Sequence, residues 1–400
     1  MSISAPPSPS PSSSASPSLS PITSPTTKRP LPTEPELTAS GRRKPKMKHD
    51  ESPFIHFGRH YVRAIEMFTL PSTIITAGLL RDPDANDDSY SALENRHYSS
   101  SQILVKLVPT FTIILEKDDT APQEIQKWLD DFAGCLLQGA SGAKSDDMSS
   151  LWGAVIDWLK KDFRGNDDAK DLDREVKAGR GFCNSITGRL LCLAILDWND
   201  ENVQTELING AAKIDGNLVN GSHWPSLLYA GTFNPDLSWV GFLQGKYLLR
   251  TYCHIFTLPS SAKGETVAPT LARSTRCGNA AIFGMTEVTP ASIAYAAAQL
   301  FFALSESAVF SKTQKMCDAS GLYNVIRDWF EEPLFTIEHQ AVLMWWNRQV
   351  FPTHHAQLTT VNHGLEQMRE AQRKQAALAQ APSSGNVTEE TPGNSAVGIE

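Results

Sequence analysis

The stretch "GASGAKSDD", residues 139–147, crowds Gly, Ser and Lys together just before an apolar run. That is the raw material of a phosphate-binding loop, in which backbone N–H groups wrap the phosphates and a Lys directly follows Gly in the pattern G-x-x-x-x-G-K-[ST]. Here Ala143 separates Gly142 from Lys144, and the preceding "EIQKWLDDFAGCLLQ" reads as a helix where such a loop follows a strand. Asp146 and Asp147 would also repel an anion at the start of the next helix. The spacing instead predicts a helix-turn-helix: Gly139 and Gly142 turn the chain, Ser145 caps the second helix, and the two Asp complement its dipole.

Other residue types with chemical potential are weaker still. His56 and His60 stand four apart, so both could face one metal, but no third ligand matches them and no metal is expected. Acid pairs at 118–119, 130–131, 146–147, 167–168 and 331–332 could work as acid and base only if burial separated their proton affinities; solvated caps are the default. None of the six cysteines has zinc-type spacing, and several sit in apolar runs such as "RLLCLAIL", as buried thiols do. Cys183 and Cys277 lie in polar loops beside arginines that would favour thiolate. No G-x-S-x-G elbow is present. In "ARSTRCGNAAIFGM", Arg273 and Arg276 are candidates to grip an anion or an acidic peptide, with ion pairing inside an acidic protein as the simpler account. No catalytic residue and no cofactor is assigned.

Residues 1–27 hold eleven Ser and seven Pro, too little apolar content to offset the entropy of ordering. Two basic clusters follow, Lys28 and Arg29, then Arg42, Arg43, Lys44, Lys46 and Lys48, with twelve residues (30–41) between them. This is the layout of a bipartite nuclear-import signal. Five Ser-Pro pairs, at Ser8, Ser10, Ser16, Ser20 and Ser24, precede it, where phosphorylation would add negative charge beside the basic clusters. The chain's net charge of −8 conceals +4 over residues 1–50 (seven Lys/Arg against three Asp/Glu), which leaves −12 for the remainder. An acidic body is a poor nucleic-acid surface, so contact with nucleic acid is expected only through the tail. No window approaches 18 consecutive apolar residues, so no membrane span and no membrane partner is expected.

The elements that must position any site read as helices. "GLYNVIRDWFEEP" places Leu322, Val325, Ile326, Trp329 and Phe330 on one face, and the next helix presents Ile337, Ala341, Met344 and Trp345. "EVTPASIAYAAAQLFFALS" has Thr289 as N-cap, Pro290 at the first position and apolar residues nearly all round, which predicts a buried central helix. Further helices are expected over 54–69, 90–116, 122–138, 146–161, 200–209 and 238–257. The intervening region is rich in Gly, Asn and Asp, with a short hairpin near 215–235. After Pro352, Leu358, Val361, Leu365 and Met368 are spaced three and four apart for about two heptads, fewer than a coiled coil needs.

Read in order, "LLQGASGAKSDDMSSLWGAVIDWL", "GRLLCLAILDW", "WPSLLYAG", "HIFTLPSSA", "RSTRCGNAAIFGMTEVTPASIAYAAAQLFFALS" and "WWNRQVFP" resemble a domain-of-unknown-function family abundant in mushroom-forming fungi, over about residues 90–352. The resemblance implies a single domain over that stretch and no activity.

The sequence thus predicts a mostly α protein, a single helical domain with irregular loops and disordered termini: a tail over 1–51, the domain over 52–352, an exposed terminal helix over 353–380 and a loose end over 381–400. Its expected role is a non-catalytic nuclear interaction or scaffold protein with protein partners. One alternative is an enzyme with a site between helices in the 180–285 region, using Arg273, Arg276 and either Cys277 or His223. Another is a DNA-associated factor that binds through its basic tail.

Overall fold

A computed structural model describes residues 52–115, 121–220, 223–257, 278–307, 318–354 and several positions from 364 to 375. Thirteen α-helices lie among the described residues: α1 (Pro53–Ala64), α2 (Pro71–Leu79), α3 (Ala92–Leu107), α4 (Thr110–Leu115), α5 (Pro122–Asp162), α6 (Asp167–Asp171), α7 (Ser185–Leu191), α8 (Glu201–Asn209), α9 (Lys246–Phe256), α10 (Asn279–Ile282), α11 (Pro290–Leu304), α12 (Ala319–Glu331) and α13 (Thr336–Val350). The fold is mostly α, as expected. One hairpin pairs β1 (Lys213–Ile214) with β2 (Asn217–Leu218), Lys213 opposite Leu218. Asp215 and Gly216 turn it with positive φ, the conformation that Asp-Gly supplies.

Helix α11 is the centre. Thr289 caps it through a reciprocal box with Ser292, and every residue from Ala291 to Leu304 is buried. It packs against α1, α5, α9 and α12. A helix buried at its C-terminus needs donors for its last carbonyls. Lys177 supplies one to Phe302 O (2.6 Å) and Arg180 one to Ala303 O (2.9 Å). Arg180 also donates to Trp152 O and to carbonyls of its own loop, so a fully buried cation is satisfied by backbone alone. Burial pulls its pKa down to about 10, and it remains charged at neutral pH against the negative end of the α11 dipole.

The expected helix-turn-helix at 139–147 is not formed: α5 runs unbroken through it for 41 residues, about 60 Å at 1.5 Å per residue. Gly139 serves contact instead of a turn. A Cβ there would lie 2.0 Å from Ile55 O, and one at Gly58 would lie 2.2 Å from Leu136 O. The two glycines let α1 and α5 cross with their backbones touching. The helix expected over 238–257 begins only at Lys246, because Gly241 (φ 73°) and Leu243 (φ 56°) hold the preceding chain in turns.

Helix α13 is rotated from expectation. It buries His339, Val342 and Trp346 and leaves Ile337, Ala341 and Met344 exposed. The helix is apolar on both sides, so periodicity could not choose between them. Trp346 decides it: its Nε1 donates to Leu243 O at 3.0 Å, and its ring packs 5.0 Å from that of Tyr252.

Candidate functional site

Two places concentrate features that a fold alone does not demand. The first is built on α5. Asp147 is buried, and its carboxylate accepts two bonds from Arg63 of α1 (2.7 and 2.6 Å) and one from the Tyr295 hydroxyl of α11 (2.7 Å). Arg63 also donates to Asn279 Oδ1 (3.2 Å), whose amide donates to Ile255 O (2.5 Å). Burial alone would weaken the Arg63 cation, but the hydrogen bond and charge of Asp147 overcome it and raise its pKa. Burial, then the charge of Asp147, pushes the Tyr295 hydroxyl well above its ordinary range. A bidentate pair with a third donor leaves no charge unmatched, so this cluster locks α1, α5 and α11 together.

One turn further along α5, Ser150 donates to Asp147 O (3.0 Å) and its Oγ lies 3.1 Å from His254 Nε2 of α9. Burial lowers the His254 pKa, which favours the neutral ring, the form able to take a proton. Ser150 faces a cleft of about 790 Å³ shared with Lys144, Ser149, Trp152, Arg174 and Phe302. Arg174 pairs there with Asp157 and Glu175. With the Ser150 proton given to Asp147 O, His254 Nε2 donates to Oγ, and the ring becomes a base for the hydroxyl only when that proton turns from Asp147 O to a ring in the other tautomer. Ser150 lies mid-helix, however, where backbone N–H groups are engaged in the helix and cannot stabilise an oxyanion.

The second place is an apolar groove of about 170 Å³ between α2, α3 and α4, lined by Ile75, Leu79, Leu104, Val105, Phe111 and Leu115. Its floor is fixed: Ile75, Leu104 and Phe111 are buried, and Gly78 brings α2 so close to α3 that a Cβ would meet Ser101 Oγ at 2.5 Å. Its edge is open: Leu79 of α2 is exposed there, and Thr112 and Leu115 of α4 are half-buried. The capping box of Ser91 and Glu94 starts α3. Arg81, paired with Asp87, stacks 3.6 Å over Tyr90 and 4.9 Å from Tyr98, tying α2 to α3 on the other side.

The residues singled out from the sequence fare unevenly. Arg273, Arg276 and Cys277, the basic clusters at Lys28–Lys48 and the five Ser-Pro serines lie outside the described residues. His223 lines a small cleft of about 240 Å³ with Trp224 and Phe233, and its Nδ1 lies 3.3 Å from the Asn220 backbone. Cys183 is not activated: burial, Glu306 and its hydrogen bond raise the thiol pKa, because Arg180 is turned away into its cage of carbonyls. His56 and His60 both stack on Phe283, at 4.5 and 4.4 Å, and no metal-ligand cluster occurs among the described residues. The acid pair 118–119 lies outside the described residues; among the other four, 146–147 is the one that burial splits, with Asp146 paired to Arg59 in solvent while Asp147 goes inside. Sequence reading missed Arg63, Tyr295, Ser150 and His254, because partners 84 to 148 residues apart leave no local signal.

A family model matches residues 138–351, that of a family of unknown function (DUF6698). The match spans just over half of the chain and begins later than the stretch near residue 90 where the resemblance was expected to start. No curated protein matches, and no solved structure matches.

Proposed function

Because the chain belongs to this family of unknown function, its role has to be argued from its own residues, and we propose that it is a non-catalytic interaction protein of the nucleus. The observation that carries this reading is the α2–α3–α4 groove, with a rigid apolar floor and an exposed apolar edge. A groove of that kind accepts the apolar face of an amphipathic helix. The net charge of −12 outside the first 50 residues favours a partner helix whose polar face is basic. The basic clusters at residues 28–48 support nuclear import, and the quoted sequence blocks support a fungal source. Residues 52–352 act in this reading as one domain.

The test is comparative capture from nuclear extract. Wild-type chain should retain a partner that Leu79→Glu and Thr112→Glu variants, both in the groove lining, lose, with circular dichroism unchanged. Equal capture by variants and wild type sinks the groove. Residues 1–50 fused to a fluorescent cargo should carry it into nuclei; a cargo left in the cytoplasm sinks the import signal.

A second reading is catalytic, and one contact favours it: Ser150 Oγ beside the His254 ring at the edge of the large cleft. A serine-directed phosphonate probe should then label wild type and spare Ser150→Ala; absence of labelling removes this reading.

A further inference from the structure

Helix α13 and the turn before it carry an uncovered apolar stripe. Leu334 is 85% exposed, Ile337 79% and Met344 44%, and Ala341 between them is exposed as well. Spacings of three, four and three residues put all four on one helical face. The face opposite is already engaged with the core through Val342 and Trp346. The chain beyond α13 carries a second stripe with the same spacings: Leu358, Val361, Leu365 and Met368. The first three lie outside the described residues. Met368 is helical and 71% exposed, so it too is uncovered.

The two stripes are mirror images about Phe351. Met344 and Leu358 each stand 7 residues from it, Ala341 and Val361 10, Ile337 and Leu365 14, Leu334 and Met368 17. Phe351 is where the chain leaves α13, at φ −123° and ψ 51°, and Pro352 suits the first turn of a new helix. In an antiparallel pair joined by a short connection, both helices rise about 1.5 Å per residue from the turn. Positions equally distant from the turn therefore face each other. Two heptads are too few for the second stripe to zip against its own copy. Against α13, a helix already held by the core, packing of the same two heptads offsets the cost of forming the second helix.

We propose that residues 353–372 fold back on α13 as the second arm of a helical hairpin, with Leu358, Val361, Leu365 and Met368 sealing Met344, Ala341, Ile337 and Leu334 within one chain. This surface is separate from the α2–α3–α4 groove, and its argument does not depend on that groove binding anything.

The test uses the full chain with Met344→Cys and Leu358→Cys, a short bis-maleimide, and mass-spectrometric mapping of the joined peptides. The expected product is an intramolecular 344–358 link whose yield survives about tenfold dilution, because the tethered segment is held at a high effective concentration. The pair Met344→Cys with Met368→Cys, mismatched in height, should link far less. Ile337→Glu added to the matched pair should abolish the link while the core stays folded, read as an unchanged near-UV circular dichroism spectrum, since Ile337 lies outside the core that Val342 and Trp346 join. Equal yields for the matched and mismatched pairs, or a link that persists with Ile337→Glu, would overturn the hairpin. A covalent dimer would overturn it in favour of a second copy.

Discussion

Between α1, α5 and α11 the chain buries Arg63 against Asp147 and Tyr295; between α2, α3 and α4 it leaves an apolar groove open, with Leu79 in water at its edge. The two regions reverse the usual placement of charge and grease, and for different reasons. The buried charges are matched bond for bond, so their geometry selects one arrangement of three helices, and removing a partner is costly. The exposed side chains fall outside the apolar core of the fold, so their removal costs the fold little. In the proposed reading a partner helix covers them. The family match divides the regions too: Asp147 and Tyr295 fall inside it, the groove outside.

The sharpest way to break the comparison is Asp147→Ala. It strands the Arg63 guanidinium, 3% exposed at its side chain, and should cost about 3–5 kcal/mol, read as the shift of a urea-unfolding midpoint. The double variant Arg63→Met, Asp147→Leu should recover most of that loss, because apolar residues of similar size often replace a buried pair at little cost. A double variant as unstable as the single one would mean that the cluster contributes net stability rather than geometry.

The next effect tests how α5 is held. Gly139→Ala pushes a Cβ against Ile55 O and should destabilise by about 1–3 kcal/mol through overpacking. Gly134 sits in the same helix with nothing within 4 Å of its missing Cβ. Gly134→Ala should therefore stabilise by roughly 0.5–1 kcal/mol, the propensity difference in a helix interior. Thermal melts of the pair should move in opposite directions; a shift of the same sign would mean that α1 can slide away from α5.

Acid should loosen the same crossing by a smaller amount. His60 stacks on Phe283, and burial, then Arg63 and His56, lowers its pKa from the ordinary 6.5 to about 4. The unfolded chain then binds the proton more tightly than the folded one between those values. Stability is full above about pH 6.5 and falls as pH drops toward 4. His97, His254 and His339 are displaced in the same direction, each chiefly by burial. His60→Gln should reduce the loss of stability between pH 7.5 and 5.5; an unchanged loss would assign it to the other three.

These effects mark where the sequence was legible. Helix α11 was readable because its signals are local: Thr289 and Pro290 at one end, apolar residues all round between. Helix α8, with Asp200 as N-cap and Gly210 in the left-handed conformation after its end, was readable for the same reason. The break expected at Gly139 and Gly142 was misread because glycine signals both a turn and a close approach, and Ile55 on another helix decides between them. The rotation of α13 was misread because it turns on Trp346 reaching Leu243, 103 residues away. The polar cluster at Asp147 lay in view as one of five acid pairs, but its partners are long-range. The groove was invisible because no helix was expected over 71–79, where α2 lies.

The smallest expected effect on stability is the one that secures the other side of the comparison. Leu79→Glu and Thr112→Glu place charges on side chains at the open edge of the groove, and neither residue belongs to the buried core. Each should shift stability by no more than about 0.5 kcal/mol, set against the several lost at Asp147. Paired melts of the two variants and wild type decide it. Near-identical midpoints leave the edge of the groove free for a partner. A fall of several degrees in either would place that side chain among the contacts that hold α2 and α4 to the body, and the groove would then be part of the fold.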